Sequence, residues 1–277
     1  MTPLEFTVVV FSLSVLAGVL GALVGVGGGI IVVPALTLLL DVDIRFAIGA
    51  TLVSVIATSS GAAVGFARGR LTNFRVAMFL EMAATAGALS GAYAAGVIRA
   101  RWLYLLFGVV MGFSALAMLR RRAGSQGVSV RADRLADRLR LHDSYVDGAA
   151  RGEVTYRVTG SRIGLVLMYV AGIMSGLLGI GSGVLKVPAM DLAMRLPIKV
   201  STGTSNFMIG VTAAASAGVY FARGQIDPFI AGPVAAGVLV GATVGARLLG
   251  RLHSSLVRGV FVAVLFWVAA QMLLRGI

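Results

Sequence analysis

Cysteine is absent from this chain, and only two histidines, His142 and His253, occur in its 277 residues. Disulfides and thiolate metal sites are thereby excluded, and neither histidine lies among carboxylates suited to a metal, so no metal and no cofactor is expected. Acidic side chains are scarce too, 11 Asp and Glu against 24 Lys and Arg, and charged residues make up only 13% of the chain. In a soluble protein a net charge of +13 would point to nucleic acid. Here the basic residues fall almost entirely between apolar stretches, where they orient membrane helices, and no nucleic-acid partner is expected. The glycine run Val26-Gly27-Gly28-Gly29-Ile30 lacks the Lys-Ser/Thr ending of a phosphate loop, and no ATP-binding motif occurs elsewhere. Within the apolar stretches no nucleophile, base or metal cluster assembles, so an enzyme is not expected. The N-terminus lacks a basic start and a cleavage site and is not read as a removed signal peptide.

What is present is apolar. With 58% hydrophobic residues and repeated stretches of about twenty, the sequence reads as an all-α polytopic membrane protein whose partner is the lipid bilayer. The spans fall at 6–40, 44–66, 74–98, 102–119, 162–194, 199–222, 228–250 and 255–275.

A glycine-rich apolar run occurs twice, Ala17 to Leu36 and Ala171 to Met190, aligned without a gap at an offset of 154 with nine of twenty positions identical. The repeat continues beyond it: Phe66-Ala67-Arg68-Gly69 returns as Phe221-Ala222-Arg223-Gly224, and Gly87-x-x-x-Gly91 as Gly241-x-x-x-Gly245. The chain is therefore two homologous four-segment halves. The expected organisation is a transmembrane repeat over 1–119, a polar cytoplasmic linker over 120–161 and a second transmembrane repeat over 162–277. The small-xxx-small pairs let helix backbones approach closely and are read as structural joints.

The first span of each half is too long. As one helix 6–40 would measure about 50 Å, against a hydrocarbon core of about 30 Å, so it breaks at the glycines and at Pro34 or Pro188. Two topologies follow: a broken helix that crosses once, with parallel repeats, or a re-entrant hairpin, with inverted repeats. Among Lys and Arg other than Lys186, a single crossing puts 15 on one side and 8 on the other, whereas the hairpin puts 18 against 5, which favours the hairpin. In the linker, Ala132, Leu135, Ala136 and Leu139 fall at helical spacing beside Arg131, Arg134 and Arg138, a short amphipathic helix expected on an anionic membrane face. Ser144-Tyr145-Val146 and Val154-Thr155-Tyr156-Arg157-Val158 are placed to form a small hairpin, and His142 is read as a surface residue.

An unwound backbone inside a membrane is tolerated where it lines a cavity, and the half-helix after the break points free amides into it. The paired interruptions are thus the candidate substrate site: Gly25, Gly27, Gly28 and Gly29 in one copy, Gly179, Gly181, Ser182 and Gly183 in the other. Lys186, whose repeat partner is Val32, is a cation in one half only and suits an anion. Thr51, Thr204, Ser205 and Asn206 add hydroxyl and amide donors at the start of the second span. Glu81, opposite Ala235 in the repeat, either carries a coupling proton or balances Lys186. These groups suit a small anion and by themselves go no further than that.

The doubled glycine motif ending in Pro-Ala, the Gly203-Thr204-Ser205-Asn206-Phe207 run and Ala222-Arg223-Gly224-Gln225-Ile226-Asp227 resemble the sulfite exporter TauE/SafE family of membrane permeases. The resemblance spans both halves. It implies a prokaryotic inner-membrane secondary transporter of small sulfur-containing anions such as sulfite and organosulfonates, mostly outward. A passive anion channel and a carboxylate carrier remain the alternatives, and the abundant small residues make a homodimer plausible.

Overall fold

The computed structural model describes residues 2–24, 28–68, 71–120, 133–147, 152–181, 183–249 and 254–277. The first half holds α1 (Pro3–Val24), α2 (Gly29–Leu39), α3 (Ile44–Arg68), α4 (Phe74–Val97) and α5 (Ala100–Arg120). Between the halves lie α6 (Arg134–Arg138) and the antiparallel pair β1 (Asp143–Asp147) and β2 (Gly152–Tyr156). The second half holds α7 (Ser161–Leu178), α8 (Gly183–Pro188), α9 (Ile198–Ala222), α10 (Pro228–Leu249) and α11 (Ser254–Gly276). By length and composition α4 and α7, with most of α1 and α10, are each long and apolar enough to cross a membrane. Exposed rows such as Ile163, Val166 and Val170 on α7 and Trp102, Val109 and Phe113 on α5 are the apolar surface that lipid would cover. The protein is polytopic and all-helical apart from the hairpin.

The long first spans turn back on themselves. A Cβ on Gly28 would sit 3.3 Å from Gly18 Cα, where a straight helix would separate the two by about 15 Å. In the second half Thr159 N–H donates to Met194 O at 3.2 Å, which brings the end of the returning segment beside the start of α7. Pro188 removes an amide donor, and the chain answers with a π-helical turn over Ala189–Ala193. Both returning segments close with the same left-handed cap. Asp41 and Arg195, one repeat apart, have φ of 51° and 55°. Val42 N–H donates to Leu36 O and Leu196 N–H to Met190 O, each at 3.2 Å, the six-to-one bond of a Schellman motif.

The halves interlock reciprocally. The first helix of each packs on the fourth helix of the other, α1 on α10 and α7 on α4. The contact is backbone on backbone: a Cβ on Gly87 would lie 2.1 Å from Tyr169 O, and one on its counterpart Gly241 would lie 2.1 Å from Val15 O. Only glycine permits that approach, so the small-xxx-small pairs are joints between halves. Helix directions follow from such contacts. Gly87 and Gly91 face Tyr169 and Ile173 in step, so α4 and α7 run parallel, and α1 and α10 do likewise. Gly49 lies against Gln225 and Gly203 against Leu71, so α3 and α9 are antiparallel. Each helix thus runs opposite to its counterpart in the other half.

Where α5 starts and α11 ends, arginines close helix C-termini. Arg45 donates to Ile98 O at 2.8 Å, Arg223 to Ala92 O at 2.7 Å and Tyr93 O at 3.0 Å, and Arg101 to Gly276 O at 2.8 Å. Cations at those carbonyls complement the helix dipoles.

The expected linker hairpin forms with Tyr145 opposite Val154. The expected helix is short, and Ala132 and Arg131 lie outside the described residues. Its apolar side is covered by protein rather than offered to a membrane: Ala136 is fully buried in a cluster with Leu80, Leu141, Tyr145, Val158 and Met194, while Leu139 is exposed. Polar pins fix it there. Asp133 accepts from Leu135 N at 3.0 Å, capping α6, and from Ser161 N at 2.8 Å, capping α7. Asn73 accepts from Val76 N at 3.0 Å and donates to Leu141 O and the Tyr156 hydroxyl, both at 2.9 Å. His142 belongs to this module, accepting from Val158 N through Nδ1 and pairing with Asp137 through Nε2.

Candidate functional site

The two glycine breaks meet. A Cβ on Gly29, the first residue of α2, would lie 3.5 Å from Gly179 O and 3.8 Å from Thr51 Cβ. Gly179 and Gly181 end α7 with φ of 66° and 68°, a conformation that costs other residues strain, and this is how the chain leaves its helix. Thr51 lies against Gly179, its hydroxyl donating to Ile48 O at 2.8 Å within its own helix. Val55 covers Gly29 and Gly181, and its repeat counterpart Ile209 covers Gly181 and Gly183. Where sequence suggested a cavity, these two side chains are packed into the junction. A Cβ on Gly183 would lie 3.7 Å from Ser205 Oγ, and that hydroxyl, on a residue 1% exposed, has no hydrogen-bond partner among the described residues. At the start of α2 the Ile31 and Val32 amides both donate to Gly28 O, at 3.1 and 3.2 Å, and the Gly29 and Ile30 amides precede the first intrahelical bond.

One turn further along α9 lies a buried charge cluster. Lys186, on α8, is 0% exposed. Its Nζ donates to Thr212 Oγ1 at 2.5 Å and to Met208 O at 3.4 Å, and lies 3.9 Å from Glu81 Oε2. Thr212 donates to Glu81 Oε1 at 2.7 Å, and Thr85, one turn along α4, donates to the same oxygen at 2.9 Å. Oε2 is buried and makes no hydrogen bond among the described residues. The other half carries Val32 and Ala235 at the matching positions, so the ion pair has an apolar twin. Ser205, Met208, Ile209 and Thr212 recur at helical spacing on one face of α9, and that face joins the glycine junction to the pair.

The structure therefore gathers Gly28, Gly29, Gly179, Gly181, Gly183, Thr51 and Ser205 at the junction, with Lys186 and Glu81 beside it. Gly25, Gly27 and Ser182 lie outside the described residues. Two predicted site residues are engaged elsewhere: Thr204 accepts from Asn73 N at 3.1 Å below the start of α4, and Asn206 donates to Thr202 O at 3.0 Å on its own helix. Pro34, expected as a helix break, instead lies inside an unbroken α2, its missing amide tolerated one turn after the start, whereas Pro188 ends α8 at the π-helical turn. Thr212, Thr85, Val55 and Ile209 were not singled out by sequence. The i, i+4 spacing of Glu81 and Thr85 was a usable signal; the Thr212 contact, 131 residues from Glu81, had none.

No solved structure matches the chain. Among sequences, the chain is 26% identical over 278 residues to the probable membrane transporter protein YunE of Bacillus subtilis, covering 98% of both chains. It is 27% identical over 264 residues to a probable membrane transporter protein of Xylella fastidiosa, covering 94% of this chain and 92% of that one. It is 26% identical over 203 residues to the probable membrane transporter protein MJ0441 of Methanocaldococcus jannaschii, covering 71% and 66%. The family model described as sulfite exporter TauE/SafE matches residues 10–272. With nearly the whole chain matched, this multi-pass membrane protein belongs to the sulfite exporter TauE/SafE family, a family of transporters and not of enzymes.

Proposed function

We propose that the chain is a secondary carrier that moves small sulfur-containing anions, sulfite or organosulfonates, outward across a prokaryotic inner membrane. The observation that carries this reading is the meeting of the two broken segments beside a buried lysine. Opposed helix directions in the two halves support reading α1–α2 and α7–α8 as a pair of re-entrant hairpins in inverted repeats that enter from opposite faces. In this arrangement the linker face holds 18 of the 23 Lys and Arg other than Lys186, which makes it cytoplasmic. Half-helix amino ends, the Ser205 hydroxyl and Lys186 supply donors and positive charge for a sulfur oxyanion. The packing of Val55 and Ile209 over the glycines supports a carrier in an occluded state over an open pore.

The test is thermal stabilisation of the purified protein by sulfite and methanesulfonate, beside sulfate, acetate and chloride, repeated on Ser205→Ala. Selective stabilisation by the sulfur anions, weakened in the variant, supports substrate class and site together. Equal stabilisation by chloride removes the sulfur-anion assignment, and acetate doing best turns the reading to a carboxylate carrier.

A further inference from the structure

We propose that this carrier moves one proton with each monovalent anion, the proton riding on Glu81 while the anion is held by Lys186, so that transport is electroneutral. The inference rests on the carrier reading above and adds its coupling. The centre is a closed pair: Lys186 and Glu81 face one another through Thr212, and their charges cancel. A monovalent anion beside Lys186 would leave the centre with a net negative charge away from water. An uncompensated charge there costs several kcal/mol even after relaxation. One proton on Glu81 restores neutrality, and the structure has a place for it: Oε1 already takes the Thr212 and Thr85 hydroxyls, while Oε2, buried and 3.9 Å from Lys186 Nζ, makes no hydrogen bond among the described residues.

Other ionisable groups are not placed to do this. Along α7, Tyr169 faces Ser90, more than two turns from Glu81. Beyond α8, Asp191 is half-buried in the π-helical turn and has interactions of its own. The linker meets α4 through Tyr156 at Asn73, two turns before Glu81, and α9 offers Thr212 and the Met208 carbonyl. Among the described residues, the charged group facing Glu81 is Lys186. The cycle then carries no net charge on either leg. The empty centre crosses as a neutral pair, and the loaded centre as lysine, anion and protonated glutamic acid. The proton taken up with the anion leaves with it, and direction is set by the anion and pH gradients, not by membrane potential.

The test uses the full chain in proteoliposomes and methanesulfonate, which stays monovalent at every pH used. Counterflow of labelled methanesulfonate comes first: its absence overturns the carrier reading and this inference with it. With counterflow present, net accumulation is measured under a one-unit pH gradient, acid outside, and separately under a potassium diffusion potential. One-to-one coupling gives about tenfold accumulation for the pH unit and none for the potential. Accumulation that follows the potential, or none under the pH gradient, overturns the proposal while leaving the carrier reading intact. Glu81→Gln, a standing mimic of the protonated acid, is expected to lose pH-driven accumulation, with Glu81→Asp restoring it. If Glu81→Gln still accumulates methanesulfonate with pH, the proton is not on Glu81. The unmodified protein decides the stoichiometry even if a variant fails to fold.

Discussion

Lys186→Ala should cost far more stability than the loss of one side chain. The ammonium is fully buried, 3.9 Å from Glu81 Oε2, a separation worth about 4 kcal/mol at an effective dielectric of about 20. Removing one member of such a pair leaves the other charged in apolar surroundings, and losses of about 3–5 kcal/mol are usual. The protein itself suggests the rescue. Val32 and Ala235 fill the matching positions in the other half, so Lys186→Val with Glu81→Ala recreates an arrangement the fold already accommodates. The double variant should recover most of the stability lost by Lys186→Val alone, with a coupling of about 2 kcal/mol or more, and yet fail to transport. Denaturant titration of the purified single and double variants in mixed micelles reads the coupling, and counterflow reads the function. Additive losses, with coupling below about 0.5 kcal/mol, would refute the claim that the two charges stabilise one another, and transport by the double variant would remove both from the mechanism.

The linker docking rests on Asn73, so Asn73→Ala removes the α4 cap and leaves Leu141 O and the Tyr156 hydroxyl buried without that donor. A loss of about 2–4 kcal/mol is expected, seen as faster protease cleavage in the linker. Burial pushes the Tyr156 phenol from 10 up to about 12, despite its bond to Asn73. The folded state therefore holds that proton more tightly than the unfolded chain, and its stabilising contribution is complete below pH 10 and falls away as pH rises toward about 12. Tyr156→Phe should abolish that alkaline component of linker release. Among glycines, Gly172→Ala would place a methyl 2.1 Å from Ala84 O and force α4 and α7 apart, costing about 1–3 kcal/mol or more. Gly218→Ala meets nothing within 4 Å and should gain about 0.5–1 kcal/mol in helix propensity. Thermal unfolding of the two variants should therefore move in opposite directions.

The membrane class, the two halves and the glycine breaks were legible because each is written in local composition and in a repeat at fixed offset. The joint role of Gly87 and Gly241 was legible for the same reason. The site was less so. Thr204 and Asn206 carry the right chemistry, but helix phase and the linker direct one to the start of α4 and the other to its own backbone. Of Ala132, Leu135, Ala136 and Leu139, read as one apolar helical side, Ala136 is buried, Leu139 is exposed and Ala132 lies outside the described residues. Whether lipid or protein covers that side depends on Asp133 and Asn73, whose partners lie far along the chain.

By itself the sequence determined the solvent, the duplication and the glycine breaks, since hydropathy, repeat identity and the conformational freedom of glycine act within a few residues, whereas Pro34 lies inside an unbroken α2. Only the tertiary structure decided that the broken spans turn back, that each half lends its first helix to the other, and that Lys186, Thr212 and Glu81 form one centre. Those facts depend on contacts between residues as much as 131 positions apart, and no local pattern records which backbone will lie against which glycine.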